Sequence, residues 1–179
     1  GEGTMTYTDG STYAGLWQNN LRNFAGVMTY LNGDVWDGVW ANGYRVDGAG
    51  TMTYFNRDVY EGQWLNCQKS GQGRMTYVNG DLYEGSWSSD YRNNQGCMTF
   101  INADVYKGLW CDDHMSGEGT MVYANCEMYV GQWSLSQRSG TGEMSGNTGT
   151  SSLALGSTTL LLKIKPRSCT PTVMFTLAL

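Results

Sequence analysis

Apolar and polar residues alternate along this chain in short runs that recur every 23 residues, with one interval of 24. A methionine marks one position of the recurring unit, and a tryptophan closes it. The methionines are Met5, Met28, Met52, Met75, Met98, Met121 and Met144, and the tryptophans are Trp17, Trp40, Trp64, Trp87, Trp110 and Trp133. A fixed period of this length indicates a repeat architecture.

Each copy contains two alternating runs, which is the pattern of half-buried β-strands. In the most regular copy, 71–87 (GQGRMTYVNGDLYEGSW), Met75 and Tyr77 share one face of the first run. Tyr83 and Trp87 share one face of the second run, and the residues between them are mostly polar. We therefore expect every strand to have one apolar face and one solvent face.

The turn between the two strands follows from the requirement that the large apolar residues share one face. A two-residue loop, Asn79 and Gly80, would place Tyr83 on the opposite face from Met75. A three-residue loop that begins at Val78 pairs Met75 with Tyr83 instead. The pattern therefore predicts a type I turn closed by a left-handed glycine and its bulge.

Two positions of this turn recur through the chain. The place of Gly80 is taken by Arg57, Ala103 and Cys126 in other copies, where we expect weaker turns or another turn type, since a non-glycine residue in the left-handed region costs about 1 kcal/mol. Acids recur two residues after the turn asparagine, and we expect them to bond local backbone rather than Ca²⁺. These acids are Asp34, Asp58, Asp81 and Asp104.

The connection from one copy to the next is predicted in the same way. A six-residue loop, 88–93, would place Trp87 opposite Asn94 and Gly85 opposite Gly96. Stacked copies would then carry three rows on one face, one of Met and Tyr, one of Gly and one of Trp. Glycine weakens a strand unless another group approaches closely, so we expect the Gly row to be a bare floor on which the rings lie.

The motifs Tyr-x-Gly-x-Trp, Gly-x-Gly and Asn-Gly-Asp at this pitch resemble the MORN (membrane occupation and recognition nexus) repeat over about residues 1–146. The resemblance implies an all-β fold, an elongated, open-ended, single-layer antiparallel β-meander of stacked hairpins. It also implies a scaffold or interaction module, since such repeats occur beside lipid kinases, methyltransferase domains, junctional membrane tethers and ciliary or cytoskeletal parts. The units are expected near 13–35, 36–59, 60–82, 83–105, 106–128 and 129–146.

Residues 147–179 do not continue the pattern. A Gly/Ser/Thr-rich segment is typical of a linker, and 160–168 (LLLKIKPRS) predicts one strand that Pro166 ends. We expect this tail either to cap the array or to be disordered, with a partner contact or an aberrant terminus as further alternatives. The chain starts at Gly1 in the middle of a copy, and we expect it to be a fragment of a longer protein.

Charge is divided unevenly along the chain. The net charge is −5, yet residues 1–146 hold all 16 acids and eight bases. An acidic array disfavours nucleic-acid binding and docking on anionic lipid. The three bases of the tail, Lys163, Lys165 and Arg167, are a candidate lipid patch, smaller than the roughly 4–8 bases typical of such sites.

Residues that could perform catalysis or bind metal are sparse. His114 is the only histidine, and its neighbours Asp112 and Asp113 lack the arrangement of a metal cage or a catalytic triad. Five cysteines without a CxxC motif favour reduced thiols and a cytoplasmic protein, with cytoskeletal or membrane association as further expectations. We expect no enzyme activity, no metal and no cofactor, and no apolar run approaches the ~20 residues of a membrane span.

The aromatic rows carry the binding hypothesis. We expect them to form the core first, and a single-layer sheet should leave one face of each ring open as an apolar groove rimmed by acids. The groove residues are Tyr60, Trp64, Tyr83, Trp87, Tyr106 and Trp110. The leading function is a non-catalytic scaffold that binds a protein partner, such as a basic segment, or a second copy through its sheet edges. The alternatives are a membrane-apposed, lipid-associated module and the regulatory region of a longer enzyme.

Overall fold

The computed structural model describes residues 1–146, 150–154 and 161–163. In these residues fifteen β-strands form one sheet, and each strand pairs with the next in chain order. The strands are β1 Glu2–Thr6, β2 Thr12–Gln18, β3 Leu21–Thr29, β4 Val35–Ala41, β5 Tyr44–Thr53, β6 Val59–Leu65, β7 Gln68–Thr76, β8 Leu82–Ser88, β9 Tyr91–Thr99, β10 Val105–Cys111, β11 His114–Val122, β12 Met128–Ser134, β13 Gln137–Ser145, β14 Thr150–Ala154 and β15 Leu161–Lys163. All neighbouring pairs are antiparallel, which confirms the predicted open β-meander.

The hairpin turn has the predicted register and conformation. Met75 pairs with Tyr83 across β7 and β8. The Gly80 N–H donates to the Tyr77 carbonyl at 2.9 Å, and Gly80 has a φ of 96°. The same conformation occurs where glycine is replaced, at Arg57 (φ 75°), Ala103 (70°) and Cys126 (67°). The expectation of another turn type at these positions is therefore wrong, because the neighbouring turns hold the left-handed conformation in place.

Those neighbouring turns are joined by the recurring acids. The Asp81 carboxylate accepts hydrogen bonds from the side chain of Asn79 and from the backbone N–H of Ile101 in the following copy, each at 2.8 Å. The equivalent acids Asp34, Asp58 and Asp104 bond the next turn in the same way. The acids are thus turn residues, as predicted, and they also link one copy to the next.

The connection between copies is shorter than predicted. Trp87 pairs with Arg92 and not with Asn94. The strands run on into a two-residue turn, Ser89 and Asp90, whose φ angles of 49° and 73° match a type I′ turn. The prediction of a six-residue loop is therefore wrong.

A β-bulge accounts for the difference. The register of β8 and β9 shifts between Gly85 and Trp87, and Asn94 takes a left-handed φ of 59° within the shift. The same position is Gly71 (φ 59°) in the regular copy and Phe24 (φ 60°) in an earlier one. Alternation can be kept by a long loop or by a bulge with a tight turn, and the bulge keeps more backbone hydrogen bonds.

Tyrosine rings lie on the row of paired glycines, as predicted. Gly85 pairs with Gly96, and a Cβ added to Gly85 would lie 2.5 Å from the Gly96 Cα and 2.6 Å from the Tyr83 hydroxyl oxygen. Tyr83 is fully buried, and its hydroxyl donates to the Ser86 carbonyl at 3.0 Å. The ring occupies the space that side chains would otherwise fill.

The tryptophans join neighbouring copies into one core. The Trp87 ring meets the rings of Tyr83 and Tyr60 edge to face, with centroids 5.2 Å apart in both pairs. Its indole N–H donates to the Gly73 carbonyl at 3.3 Å. Trp110 and Trp133 likewise contact the tyrosine of their own copy and that of the preceding one, and Trp64 contacts Tyr60 and Trp36, so the core is continuous along the sheet.

Two short strands extend the sheet beyond residue 146. β14 pairs with β13, and β15 pairs with β14. The described part of the tail therefore adds to the sheet beside the last copy. The strand predicted over 160–168 is described only at 161–163, and Pro166 lies outside the described residues.

Replacing Gly85 with Ala is expected to destabilise the protein by about 3 kcal/mol, because the new Cβ meets backbone and a buried ring that cannot move away. Gly3 is the matched control. It lies in the same row, but an added Cβ would only make ordinary contact with Trp17 at 3.5 Å, so Gly3→Ala should change stability by less than about 0.5 kcal/mol. Urea unfolding followed by tryptophan fluorescence measures both, and equal midpoints for the two variants would contradict the close approach.

Alkaline pH is expected to destabilise the fold through the buried tyrosines. Burial raises the pKa of Tyr106 to about 12 and also raises the pKa of Tyr83. An unfolded phenol has a pKa of about 10, so above pH 10 the unfolded state loses protons that the folded state retains, and stability falls as pH rises.

This pH dependence is measured as the urea midpoint below and above about pH 10. Tyr106→Phe should flatten the alkaline decline, although loss of the 2.9 Å hydrogen bond to Leu109 lowers its stability at neutral pH. Tyr44→Phe is the control, since Tyr44 is 77% exposed. An alkaline slope that Tyr106→Phe leaves unchanged would assign the decline to other groups.

Candidate functional site

The six predicted groove aromatics lie together in one buried layer. The tyrosines among them are fully buried, and the tryptophans are 4–5% exposed. Those tyrosines are Tyr60, Tyr83 and Tyr106, and those tryptophans are Trp64, Trp87 and Trp110. The layer is the core that the sequence predicts. Its direct contact with a partner stays a prediction, and the rings themselves present little surface.

A row of cations covers the faces of the indoles. The Lys69 Nζ lies 4.5 Å from the centre of the Trp87 ring, and the Arg92 Cζ lies 4.4 Å from that of Trp110. The row consists of Arg22, Arg45, Lys69, Arg92 and Arg138, with Met115 at the remaining position. Cation–π contact therefore supplies the cover that a second layer would give in a sandwich.

Sequence analysis missed this row, although the row repeats at the pitch of the tryptophans. Each cation is the second residue after a type I′ turn, and it pairs with the tryptophan that ends the preceding strand, as Arg92 pairs with Trp87. The six-residue loop predicted for this stretch placed these cations outside the sheet. A search of the loops for residue types that recur with the period would have found them.

Hydrogen bonds to the next copy hold Arg22 and Arg92 in place. The Arg92 Nε donates to the Asp113 carboxylate at 2.8 Å, and its Nη2 donates to the Asp113 carbonyl at 3.0 Å. Burial lowers the pKa of Lys69, and the nearby carboxylates of Asp90 and Asp113 partly oppose that effect. Arg22 and Arg92 are thus held over the rings, and nearby carboxylates offset only part of the positive charge along the row.

Arg45, the base in the copy with the extra residue, lacks hydrogen bonds of the kind that hold Arg92 in place. The Arg45 Cζ lies 3.7 Å from the centre of the Trp36 ring, and its buried Nε and Nη2 have no hydrogen-bond partner. The turn position that holds Asp90 and Asp113 in later copies is Cys67 here. No carboxylate therefore occupies the equivalent position beside this guanidinium.

A second row of rings lies beside the cations and is only partly buried. Its members are Tyr30, Tyr54, Tyr77, Phe100 and Tyr123, and we call these rings together with Arg22, Arg45, Lys69 and Arg92 the ring–cation ladder. The Lys69 Nζ lies 5.9 Å from the Tyr54 ring centre. Where the ring is Phe100, the neighbouring base is replaced by Met115, so both members are apolar there.

Two shallow depressions lie along the ladder. One is lined by Tyr30, Arg22 and Arg45, and the other by Tyr77 and Arg92, together with turn residues in each case. Each depression lies between neighbouring copies. The ladder therefore offers a partly apolar, partly cationic surface that repeats with the copies.

Acidic residues within the strands lie on the opposite face of the sheet, except Asp47 of β5, which lines the first depression. Glu61 pairs with Arg74, which pairs in turn with Glu84 at a side-chain distance of 3.9 Å. The other strand acids on that face include Asp37, paired with Thr51, and Glu118, paired with Gln132. The aromatic face predicted as a groove has acidic turns along its edges, but bases lie over the rings between those edges.

The remaining candidates lie apart from the ladder. Lys163 is the last residue of β15, whereas Lys165 and Arg167 lie outside the described residues, and the lipid patch stays a prediction. His114 is exposed at the start of β11, with its Nδ1 2.7 Å from the Asp112 carbonyl oxygen. Cys67, Cys97 and Cys111 carry free thiols.

Two searches of the described residues find nothing further. Within the described ranges, no three His, Cys, Asp or Glu side chains converge on a point that could hold a metal ion. The described part of the chain contains no helix long and apolar enough to cross a bilayer.

Comparisons with solved structures find distant similarity. The TCP domain of SAS-4 (dCPAP) from Drosophila melanogaster, in complex with a proline-rich motif of Ana2 (dSTIL), is 15% identical over 90% of this chain and 89% of that chain, with a TM-score of 0.44. The TCP10 domain of Danio rerio CPAP, in complex with a STIL peptide, is 12% identical over 93% and 95%, with a TM-score of 0.37. Similarity at this level says nothing about the partners of this chain.

A search of curated protein sequences finds no significant match. The model of the MORN repeat family, however, matches most of the chain. The matched residues are 1–12, 13–35, 60–82, 83–105, 106–125 and 129–151. The stretch 36–59 is not matched, and it is the copy in which Trp36 takes the tyrosine place and an extra residue follows Trp40. The chain belongs to the MORN repeat family.

Proposed function

We propose that this protein is a non-catalytic scaffold that binds an extended protein segment along the ring–cation ladder. The observation that carries the proposal is the second row of rings, such as Tyr54 and Tyr77, which stay partly exposed above a core that is already complete. The core residues beneath them need no further cover. Partly exposed rings in a continuous row are typical of interaction surfaces.

The spacing of the ladder suits an extended chain. Successive copies are two strands apart, which is about 9.4–9.8 Å. Three residues of an extended chain in the polyproline II conformation rise about 9.3 Å and return the side chain to the same face, so a bound segment can place one group on each copy. Binding would then gain from several weak, equivalent contacts rather than from one deep pocket.

The charges of the ladder indicate the partner's composition. Arg22 and Arg45 line one depression, and the guanidinium of Arg45 lacks a paired carboxylate. A segment that combines apolar side chains with Asp or Glu would fill this depression and place a carboxylate on the guanidinium of Arg45, whereas the other depression already holds Asp58 and Asp81 beside Arg92. Polyanions such as nucleic acid are disfavoured because acidic turns line both edges of the face, for example at Asp58 and Asp90.

Paired substitutions on opposite faces test the proposal. We expect Tyr54→Ser with Tyr77→Ser to lose at least one protein that the wild type captures from a lysate, with binding weakened about tenfold or more. Leu65→Ser with Tyr91→Ser is the control, because those residues are 53% and 51% exposed, flank the type I′ turns and line neither depression of the ladder. Quantitative mass spectrometry of the captured proteins reads out both variants.

Urea midpoints of the two variants show whether a loss of capture comes from unfolding. Capture of the same proteins by both variants and the wild type would contradict binding along the ladder. Loss in the Leu65 and Tyr91 variant alone would place the binding surface on the other side of the protein.

A further inference from the structure

The outermost residue of the hairpin turn is large, apolar and exposed in four consecutive copies. These residues are Leu31, Phe55, Val78 and Ile101, which are 74%, 77%, 62% and 70% exposed, and we call them the turn ridge. The corresponding residues in the flanking copies are Thr8 and Ala124, so the large side chains are confined to the middle of the array. The ridge lies along the edge of the sheet where the hairpins turn, and it adjoins the ring–cation ladder at the second depression, which Val78 also lines.

The backbone of the ridge is held in a regular row. The Phe55 N–H donates to the Asp34 carboxylate of the preceding turn, and the Ile101 N–H donates to Asp81, each at 2.8 Å. The Phe55 side chain also lies over Gly33, 2.8 Å from the place of an added Cβ. Leu31 and Ile101 likewise lie over Gly10 and Gly80 of the preceding turns, so these side chains follow one another along the turns.

The area of the ridge fits a single segment rather than a folded partner. Four side chains that are 62–77% exposed leave apolar surface on the order of 400 Å². A stable dimer of standard size buries about 800 Å² on each partner. The ridge alone is too small for such an interface.

Charge excludes a second copy of the ridge as the occupant. The turn edge carries Asp34, Asp58, Asp81 and Asp104 beside the ridge, and Arg57 is the base among these turns. Two ridges packed against each other would bring two acidic rows together. The complementary occupant has Lys and Arg on either side of an apolar stripe.

The pitch of the ridge indicates the conformation of that occupant. Ridge residues follow one another at about 9.4–9.8 Å, the spacing of two strands. One heptad of an α-helix rises 10.5 Å, and the seam of an amphipathic helix offers holes between apolar side chains at that interval. The mismatch accumulates to only about 3 Å over the three steps of the ridge, which flexible side chains absorb.

We propose that the turn ridge docks a basic amphipathic α-helix of about three heptads, whose apolar seam receives the four ridge side chains as knobs. The helix lies along the edge of the sheet, and its Lys and Arg residues face the acidic turns. Because Val78 lines a depression of the ladder, a helix bound on the ridge would lie directly beside a protein bound on the ladder.

Two fluorescent synthetic peptides test this proposal by anisotropy against the full chain. One has Leu at positions a and d of three heptads, with Lys and Arg elsewhere. The other has the same composition with the heptad order shuffled. We expect the heptad peptide to bind and to gain helical circular dichroism, and the shuffled peptide to bind about tenfold more weakly or less.

Serine substitutions on the chain locate the binding. Phe55→Ser with Val78→Ser should weaken the heptad peptide about tenfold or more, whereas Tyr44→Ser with Leu65→Ser, exposed residues beside the type I′ turns, should not. Both pairs remove surface groups, and urea midpoints report whether either perturbs the fold. Equal binding of the two peptides, or unchanged binding to the ridge variant, would overturn the proposal.

A third peptide distinguishes the conformation of the occupant. It carries an apolar residue at every third position of a proline-rich chain, which repeats at about 9.3 Å in the polyproline II conformation. Tighter ridge-dependent binding of this peptide than of the heptad peptide would overturn the helical occupant. The ridge test measures only the binding of synthetic peptides, so its result does not depend on whether the Tyr54 and Tyr77 variant loses a protein bound on the ladder.

Discussion

The close approach of a tyrosine ring to two paired glycines is the constraint on which the rest of the structure depends. At Gly85 and Gly96 the absence of Cβ lets the Tyr83 ring lie flat on the backbone, where its hydroxyl reaches the Ser86 carbonyl. A ring in that position sets the edge-to-face contact with Trp87 and, through it, with the preceding copy. A single sheet thereby acquires a continuous core without a second layer packed against it.

A core of this kind is open on one side, and the cations cover the ring faces on that side. Lys69 and Arg92 place their charges over indole faces and anchor themselves to the backbone or carboxylates of the following turn. The bases are consequently concentrated on the aromatic face, while strand acids such as Glu61 lie on the other. The net acidity of the array thus conceals a basic surface, and composition alone misrepresents what a partner meets.

The periodic alternation of the sequence is enough to derive the pairing of Met75 with Tyr83, the left-handed turn residue and the glycine floor. These features follow because face consistency and steric exclusion leave few alternatives. The bulge at Asn94 could not be derived, since a bulge restores the same alternation that a longer loop would keep. The cation row was missed for the same reason. Phe55 and Val78 were missed because turn residues were treated as connections, although their recurrence was visible.

The irregular copy shows that the two proposed surfaces depend on different parts of the repeat. In 36–59, Trp36 replaces a tyrosine and Arg45 loses its carboxylate partner, so the ladder changes character there. The ridge continues through the same copy at Phe55, because its position depends on the turn and on the bond to Asp34 and not on the core rings. A repeat array can accumulate such differences copy by copy, since each unit contacts only its neighbours.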